Sequence, residues 1–252
     1  MKYILSLAAI GTLLLGISTA RAQTEVSLLV PNPFRGTLNK VVPGFESKSG
    51  YKVKVTYGKG MGTRQQVARG EMFDVSILLP PYPEALASGN IDPKSATVLA
   101  SLVLGFGVKK DAPAPDISTP AALTRALRAA KSIAYVDPAV GSDGFATHES
   151  LQELGILDQI GSKTKLVPTA RAAADAVIAG EAEICIFYLN EMENRGIEIV
   201  GRLPEQFANP EEVVAFISTH ATDPKAAKAL VDYLSSPDAE AGYKADRLEP
   251  AR

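Results

Sequence analysis

Residues 26–57 read VSLLVPNPFRGTLNKVVPGFESKSGYKVKVTY, and this stretch decides the fold class. Its apolar beginning, 26–30, is typical of a short buried strand, and 52–57 alternates polar and apolar residues as a half-buried strand does. Between them, 36–47 predicts a helix, which Pro43 should bend because proline removes one backbone hydrogen bond. A strand, a helix and a second strand in this order are typical of an α/β protein.

The same alternation continues along the rest of the chain and predicts an α/β protein with mostly parallel sheets. Further strands are predicted at 75–79, 102–108, 132–136, 182–188, 197–200 and 213–218. Further helices are predicted at 63–69, 82–88, 119–130, 145–154, 169–178, 224–234 and 238–244.

The N-terminus has the pattern of a secretory signal peptide. Lys2 precedes an apolar run over 3–15, and Ala20-Arg21-Ala22 offers small residues at the spacing of a cleavage site. The run is shorter than the roughly 20 apolar residues of a membrane span, although an uncleaved anchor is the alternative. We therefore expect residues 1–22 to be removed after Ala22 and the mature protein to work in the periplasm.

Composition excludes several classes of protein. The formal charge of −2 argues against a nucleic-acid partner, because such proteins usually carry a basic excess. The only cysteine, Cys185, lies in an apolar run and is interpreted as a small buried side chain. Two histidines, His148 and His220, without a Cys/His cluster predict no metal site, and no motif for a cofactor is present.

Four loops have the placement of ligand-binding loops, after a predicted strand and before a predicted helix. They are 31–36, 58–63, 141–144 and 169–171. Backbone N–H groups at a helix N-terminus suit an anion, and glycine lets a ligand approach the backbone closely. The four loops together predict a site for a small anion.

Several stretches resemble the periplasmic molybdate-binding proteins, which are the substrate-binding subunits of an ABC importer family. They are 45–53 (FESKSGYKV), 73–77 (FDVSI), 137–138 (DP), 151–155 (LQELG) and 186–188 (IFY). The resemblance covers about residues 26–243. It implies the type II periplasmic binding protein fold, in which two α/β lobes hold a ligand in the cleft between them. It also implies that 24–104 and 203–252 form lobe I and that 105–202 form lobe II.

Carried onto this sequence, the family's anion-binding positions fall on or beside ten residues. They are Asn32, Arg35, Lys59, Gly60, Met61, Ser142, Asp143, Gly144, Arg171 and Tyr188. Molybdate binders present serine hydroxyls and backbone amides without a compensating cation. This chain has no serine at the first position, and it has cations at Arg35, Lys59 and Arg171, with Arg64 one turn further on. Arg64 could instead lie on a solvated helix face.

Guanidinium groups pair with carboxylates in a bidentate way, so these cations favour an organic di- or tricarboxylate as the ligand. In this interpretation Arg35, Lys59 and Arg171 supply charge, Ser142 and Gly144 lie among the hydrogen-bond donors, and Tyr188 covers the ligand. The resemblance implies a membrane permease of an ABC importer as partner, and a monomer is expected.

Two alternatives remain open. The family also includes aconitate isomerase, which shifts an allylic proton of a tricarboxylate, and that reaction needs a group that takes and returns a proton. His148, Tyr188 and Lys59 are the candidates for this role. The other alternative is a molybdate or tungstate binder in which backbone donors replace the serines.

Overall fold

The computed structural model describes residues 24–58 and 62–251. The predicted signal peptide, 1–22, and the predicted ligand residues Lys59, Gly60 and Met61 lie outside these ranges. None of the helices formed by the described residues is both long and apolar enough to cross a bilayer.

Eleven strands and ten helices alternate along the described chain. The strands are β1 (Glu25–Pro31), β2 (Lys52–Gly58), β3 (Val75–Leu78), β4 (Thr97–Leu102), β5 (Leu104–Lys109), β6 (Ile133–Val136), β7 (Thr164–Val167), β8 (Ile184–Tyr188), β9 (Ile197–Arg202), β10 (Glu211–Ile217) and β11 (Glu249–Pro250). The helices are α1 (Arg35–Ser49), α2 (Gly62–Ala68), α3 (Pro83–Ala87), α4 (Pro120–Ala129), α5 (Ser142–Glu153), α6 (Leu157–Ile160), α7 (Ala170–Ile178), α8 (Leu189–Met192), α9 (Pro224–Leu234) and α10 (Pro237–Ala245). Every predicted element is present, and β4, β7, β11, α6 and α8 are additional.

The strands form two sheets, and both are mixed rather than mostly parallel. The first has the order β11-β4-β10-β3-β1-β2, and the second has the order β7-β6-β8-β5-β9. In the first sheet β1 runs parallel to β2 and β3, whereas β10 runs antiparallel to β3 and β4. In the second, β6 is parallel to β7 and β8, whereas β5 is antiparallel to β8 and β9. The prediction of parallel pairing is therefore right for the βαβ units and wrong where the chain passes between the sheets.

The chain crosses between the two sheets at two places. Only Val103 separates β4 of the first sheet from β5 of the second, and residues 203–210 lead from β9 back to β10. The lobe boundaries after residues 104 and 202 stay a prediction.

Apolar residues of the strands and of α1 form the core of the first sheet. Leu28 and Leu29 of β1 are fully buried, and Leu38 and Phe45 place the apolar face of α1 against the sheet. Each such side chain stabilises the fold by about 1.5–3 kcal/mol through removal of its apolar surface from water. The helix continues past Pro43 to Ser49, so the missing N–H does not end it.

In the second sheet, β8 is buried along its whole length. Cys185 is fully buried in this strand, as predicted, and burial raises the pKa of its thiol to about 12. The thiol is therefore a packing group and not a nucleophile.

Candidate functional site

Five polar side chains are buried near the carboxyl ends of β2, β6 and β8 and at the beginning of β10. We call them the buried polar cluster: Arg64, Ser142, Asp143, Tyr188 and Glu211. Loops at the carboxyl ends of strands are where α/β proteins bind ligands. Charged side chains are rarely buried without a compensating partner, so this cluster calls for a chemical explanation.

The centre of the cluster is a hydrogen bond between Tyr188 and Glu211. The Tyr188 hydroxyl donates to Oε2 of Glu211 at 2.5 Å. Tyr188 is fully buried, and Glu211 is 7% exposed. Burial raises the pKa of Glu211 to about 7, against the opposing effects of the Tyr188 hydrogen bond and the Arg64 charge. Burial first, and then the charge of Glu211, raise the pKa of Tyr188 well above its ordinary value, so the phenol stays protonated.

Arg64 brings a positive charge to the cluster from α2. It is 9% exposed, which excludes the alternative of a solvated helix face, and its guanidinium donates a hydrogen bond to the Pro81 carbonyl. Burial lowers the pKa of Arg64, and the charge of Glu211 opposes that effect. A guanidinium nevertheless remains protonated in a protein, so Arg64 is a permanent cation beside the carboxyl group.

Helix α5 begins at Ser142, where the sequence predicts a loop over 141–144 and a helix start at Phe145. Gly144 explains the difference. A Cβ at this position would lie 2.3 Å from the Val136 carbonyl oxygen, so only glycine lets the first turn of α5 pack on the end of β6. The predicted ligand residue Gly144 therefore has a structural role in positioning the helix N-terminus.

The first two residues of α5 point polar groups into the cluster. Burial raises the pKa of Asp143 to about 6, although the backbone N–H groups of Asp143 and Gly144 act in the opposite direction. The Ser142 hydroxyl lies beside Tyr188 and has no hydrogen-bond partner of normal geometry in the described part of the chain. A buried hydroxyl without a partner is a group that is ready to bind a ligand.

A separate and more open space lies next to the cluster. This cleft of about 890 Å³ is lined by residues near the N-termini of α1 and α7 and after β8. The predicted ligand residues Asn32, Arg35 and Arg171 all lie in it. The Arg35 guanidinium donates to Oδ1 of Asn32 at 3.1 Å, and its Cζ lies 3.6 Å from the centroid of the Tyr57 ring. Arg35 and Arg171 are exposed and form no ion pair with a carboxylate of residues 24–58 or 62–251.

The cleft also contains acidic groups, of which one is paired with a lysine and another has a raised pKa. Lys40 forms an ion pair of 2.7 Å with Asp246, which neutralises that carboxylate. Burial and the charge of Asp143 raise the pKa of Glu191 to about 8. At neutral pH the guanidinium groups of Arg35, Arg171 and Arg195, none of which forms an ion pair with a carboxylate of the described residues, therefore give the cleft a positive character.

Asn190 connects the two sheets beside the cleft. It follows β8, and its side-chain amide donates to the Pro33 carbonyl, which follows β1, at 2.7 Å. The Asn190 Oδ1 atom is buried and has no donor among the described residues. This contact places the ends of β1 and β8 side by side, so the open cleft and the buried polar cluster adjoin one another.

Of the three predicted proton-transfer residues, the structure places only Tyr188 in the cluster. His148 is half-buried on α5, its Nδ1 has no partner in the described chain, and no described contact joins it to Tyr188 or Glu211. Lys59 lies outside the described residues. No group of three or more His, Cys, Asp or Glu side chains in the described ranges could hold a metal ion.

Sequence reasoning missed Glu211. Residues 213–216 of β10 are all buried, so both faces of the strand are covered and alternation does not distinguish Glu211 from the exposed Glu212. The pairing register also shifts between Val213 and Val214, which interrupts the alternation. No local pattern in the sequence therefore indicates that the Glu211 carboxylate is buried.

Comparison with known proteins identifies the family. A family model for bacterial extracellular solute-binding proteins matches residues 26–246. The chain belongs to this family. It is 29% identical to an aconitate isomerase from a Pseudomonas species, over 96% of this chain and 95% of that protein. It is 28% identical to the molybdate-binding protein ModA from Azotobacter vinelandii, over 91% of each chain.

Solved structures agree with the sequence relatives. The Azotobacter vinelandii periplasmic molybdate-binding protein superposes with a TM-score of 0.73 at 20% identity, over 90% of this chain and all of that chain. The predicted two-lobe type II fold with a cleft between the lobes is thereby confirmed, as is the resemblance to the molybdate-binding-protein-like family. Membership of a solute-binding family implies an exported protein.

Proposed function

We propose that this solute-binding protein captures a small organic di- or tricarboxylate in the cleft between its lobes. The observation that carries this proposal is the pair of guanidinium groups, Arg35 and Arg171, which face one cleft without a carboxylate partner in the described chain. A guanidinium binds a carboxylate through two parallel hydrogen bonds. Two such groups suit a ligand that carries at least two carboxylates.

The remaining parts of the proposal rest on the N-terminal sequence pattern and on the family. Cleavage after Ala22 would release the protein into the periplasm, where it would act as a monomer and deliver its ligand to an ABC-type permease. Lobe closure around the ligand is the usual conformational change of periplasmic binding proteins. Molybdate or tungstate is the alternative cargo, and the similarity to ModA supports it.

Calorimetry with two probes separates these cargoes. Tricarballylate is a saturated tricarboxylate that no allylic shift can alter, and molybdate is a tetrahedral dianion. We expect tricarballylate to release heat and saturate at one site per chain, and we expect molybdate to give no signal. Binding of molybdate alone would contradict the proposal and favour a metal-oxyanion receptor.

A second function, isomerisation of the aconitate type, is favoured by the hydrogen bond between Tyr188 and Glu211. Two buried carboxyl groups near an anion site weaken binding when they are ionised, because like charges repel. A carboxyl group with a pKa of about 7 suits proton transfer at neutral pH, which makes Glu211 useful to an enzyme. The 29% identity to an aconitate isomerase over nearly the whole chain also supports isomerisation as the second function.

A proton NMR time course tests this second function. Purified mature protein is incubated with trans-aconitate in D2O, and the cis isomer is followed. Its appearance supports an isomerase. Broadening of the trans-aconitate signals without conversion supports a receptor that only binds, and unchanged spectra would exclude aconitate as ligand.

A further inference from the structure

We propose that Glu211 is the residue that removes and returns the allylic proton of a bound tricarboxylate, and that Tyr188 positions it. This inference rests on the second proposed function, the isomerisation. Sequence comparison alone does not point to Glu211; its place in the fold does.

The first argument is the geometry of the carboxyl group. Tyr188 binds Oε2, and no described residue donates a hydrogen bond to Oε1. A carboxylate that is fixed through one oxygen presents the other in a defined direction. Glu211 also begins β10, directly after the crossing segment 203–210, so it lies where the two sheets meet.

The second argument is the set of charges around Glu211. Arg64 faces it from α2, Tyr188 from β8, and Asp143 and Glu149 from α5. Arg64 favours the ionised form, whereas burial and the two acids favour the protonated form. Burial outweighs the opposing effects and raises the pKa of Glu211 to about 7, so the carboxyl group can hold a proton and release it again at neutral pH.

The third argument compares Glu211 with the other candidates. The Tyr188 phenol has a raised pKa and remains protonated, so it donates a hydrogen bond but does not serve as a base. His148 has no described contact with the Tyr188–Glu211 pair. The Asp143 carboxylate accepts hydrogen bonds from the backbone N–H groups of Asp143 and Gly144, and these hold it at the N-terminus of α5.

The reaction balances without a further reagent. Glu211 takes a proton from the methylene carbon of trans-aconitate, and the electron pair of that C–H bond forms the new double bond to the central carbon. The electron pair of the former double bond takes the proton back at the far carbon. Negative charge that develops on the carboxylates is stabilised by the guanidinium group of Arg64, which lies near Glu211. Glu211 ends ionised, as it began.

The test uses three variants of the full mature chain. Glu211→Gln keeps the size of the side chain and its hydrogen bond to Tyr188 but cannot accept a proton. Glu212→Gln is the matched control, because Glu212 is the adjacent, exposed residue of the same strand. Tyr188→Phe removes only the hydroxyl group. NMR measures the conversion of trans-aconitate, and calorimetry measures the affinity for tricarballylate.

We expect Glu211→Gln to lower the rate of conversion by about 100-fold or more, whereas tricarballylate should bind at least as tightly as to the wild type because a like charge has been removed. Glu212→Gln should match the wild type. Tyr188→Phe should move the acidic limb of the pH–rate profile upward, because the lost hydrogen bond no longer lowers the pKa of Glu211. A merely structural role of Tyr188 would not move this limb.

The possible outcomes separate the inference from the function on which it rests. Conversion by the wild type and equally by Glu211→Gln would overturn the role of Glu211 and leave the isomerase standing. Binding without conversion by the wild type would overturn the role of Glu211 together with the isomerase and leave capture standing. If neither tricarballylate nor trans-aconitate binds to the wild type, the capture proposal falls as well.

Discussion

The open cleft and the buried polar cluster adjoin one another, but the charged groups of the cleft are exposed to water and those of the cluster are buried. In the cleft, Arg35 and Arg171 are exposed and keep their charge in contact with water. In the cluster, Glu211 and Asp143 are almost fully buried, and burial moves their pKa values toward neutrality. Exposed cations can attract and orient an anion, whereas buried carboxyl groups can exchange protons. The comparison therefore separates the residues proposed to bind the ligand from the residue proposed to transfer a proton.

The two regions should differ most in how much a substitution lowers the free energy of unfolding. Tyr188→Ala removes a fully buried aromatic ring and leaves the Glu211 carboxyl without its hydrogen bond. We expect the free energy of unfolding to fall by about 3–5 kcal/mol. Arg35→Ala, in the open cleft, should change it by less than about 0.5 kcal/mol. Urea unfolding monitored by circular dichroism measures the free energy of unfolding of both variants. Equal losses in the two variants would contradict the comparison.

The second prediction concerns pH. The pKa of Glu211 is raised from 4.5 to about 7 on folding, so the native state binds more protons than the unfolded state between these values. This contribution to stability is present below about pH 4.5 and is lost as the pH rises through 7, which makes the free energy of unfolding fall by about 3 kcal/mol.

Urea unfolding at several pH values from 4.5 to 7.5 tests that prediction. Glu211→Gln should flatten the decline, whereas Glu212→Gln should leave it unchanged. Asp143, with a pKa of about 6, contributes a smaller decline in the same direction that should persist in both variants. An identical curve for wild type and Glu211→Gln would mean that Glu211 has the same pKa in both states.

The third prediction concerns affinity. Arg35→Ala and Arg171→Ala should each raise the dissociation constant for tricarballylate about tenfold, which corresponds to ~1.4 kcal/mol for one lost charge-assisted contact. Arg69→Ala is the control, because Arg69 is exposed, forms an ion pair with Glu71 and does not line the cleft. Calorimetry at constant ionic strength gives the three values. An unchanged affinity for both cleft variants would place the ligand elsewhere.

The smallest expected effect concerns the helix that presents Arg171. The Thr169 hydroxyl accepts a hydrogen bond from the backbone N–H of Ala172 at the beginning of α7. Thr169→Ala should lower the free energy of unfolding by about 1 kcal/mol, as the loss of a helix cap usually does. Thr119→Ala removes the same kind of cap from α4, away from the cleft, and should cost a similar amount without altering affinity.

Much of this architecture could be predicted from local patterns. The strand at 26–30, the helix that continues past Pro43 and the helices predicted at 119–130 and 169–178 follow from local patterns in the sequence alone. Strand β4 was missed because 98–108 reads as one apolar run, in which the single residue Val103 gives no signal for a change of sheet.

The site was less predictable because its parts are far apart in the sequence. The cleft positions Asn32, Arg35 and Arg171 follow from the rule that ligands lie beyond strand ends, and the structure brings them together. Glu211 meets Tyr188 only because β10 returns to the first sheet after the chain has built the second. No local pattern predicts this contact or the burial of Glu211, because both faces of β10 are buried after Glu212.

In the lobe closure proposed above, the two crossings between the sheets are the hinge, and atoms beside a hinge move least. The N–H of Leu189, the residue after Tyr188, donates to the carbonyl of Val103 at 2.9 Å, and Glu211 directly follows the second crossing. Tyr188 and Glu211 therefore lie beside this hinge, whereas Arg35 and Arg171 belong to helices that pack on different sheets. A rotation that swings the cleft open would carry the guanidinium groups apart while the Tyr188–Glu211 hydrogen bond scarcely lengthens. The proton-holding pair would thus already be assembled when an anion arrives.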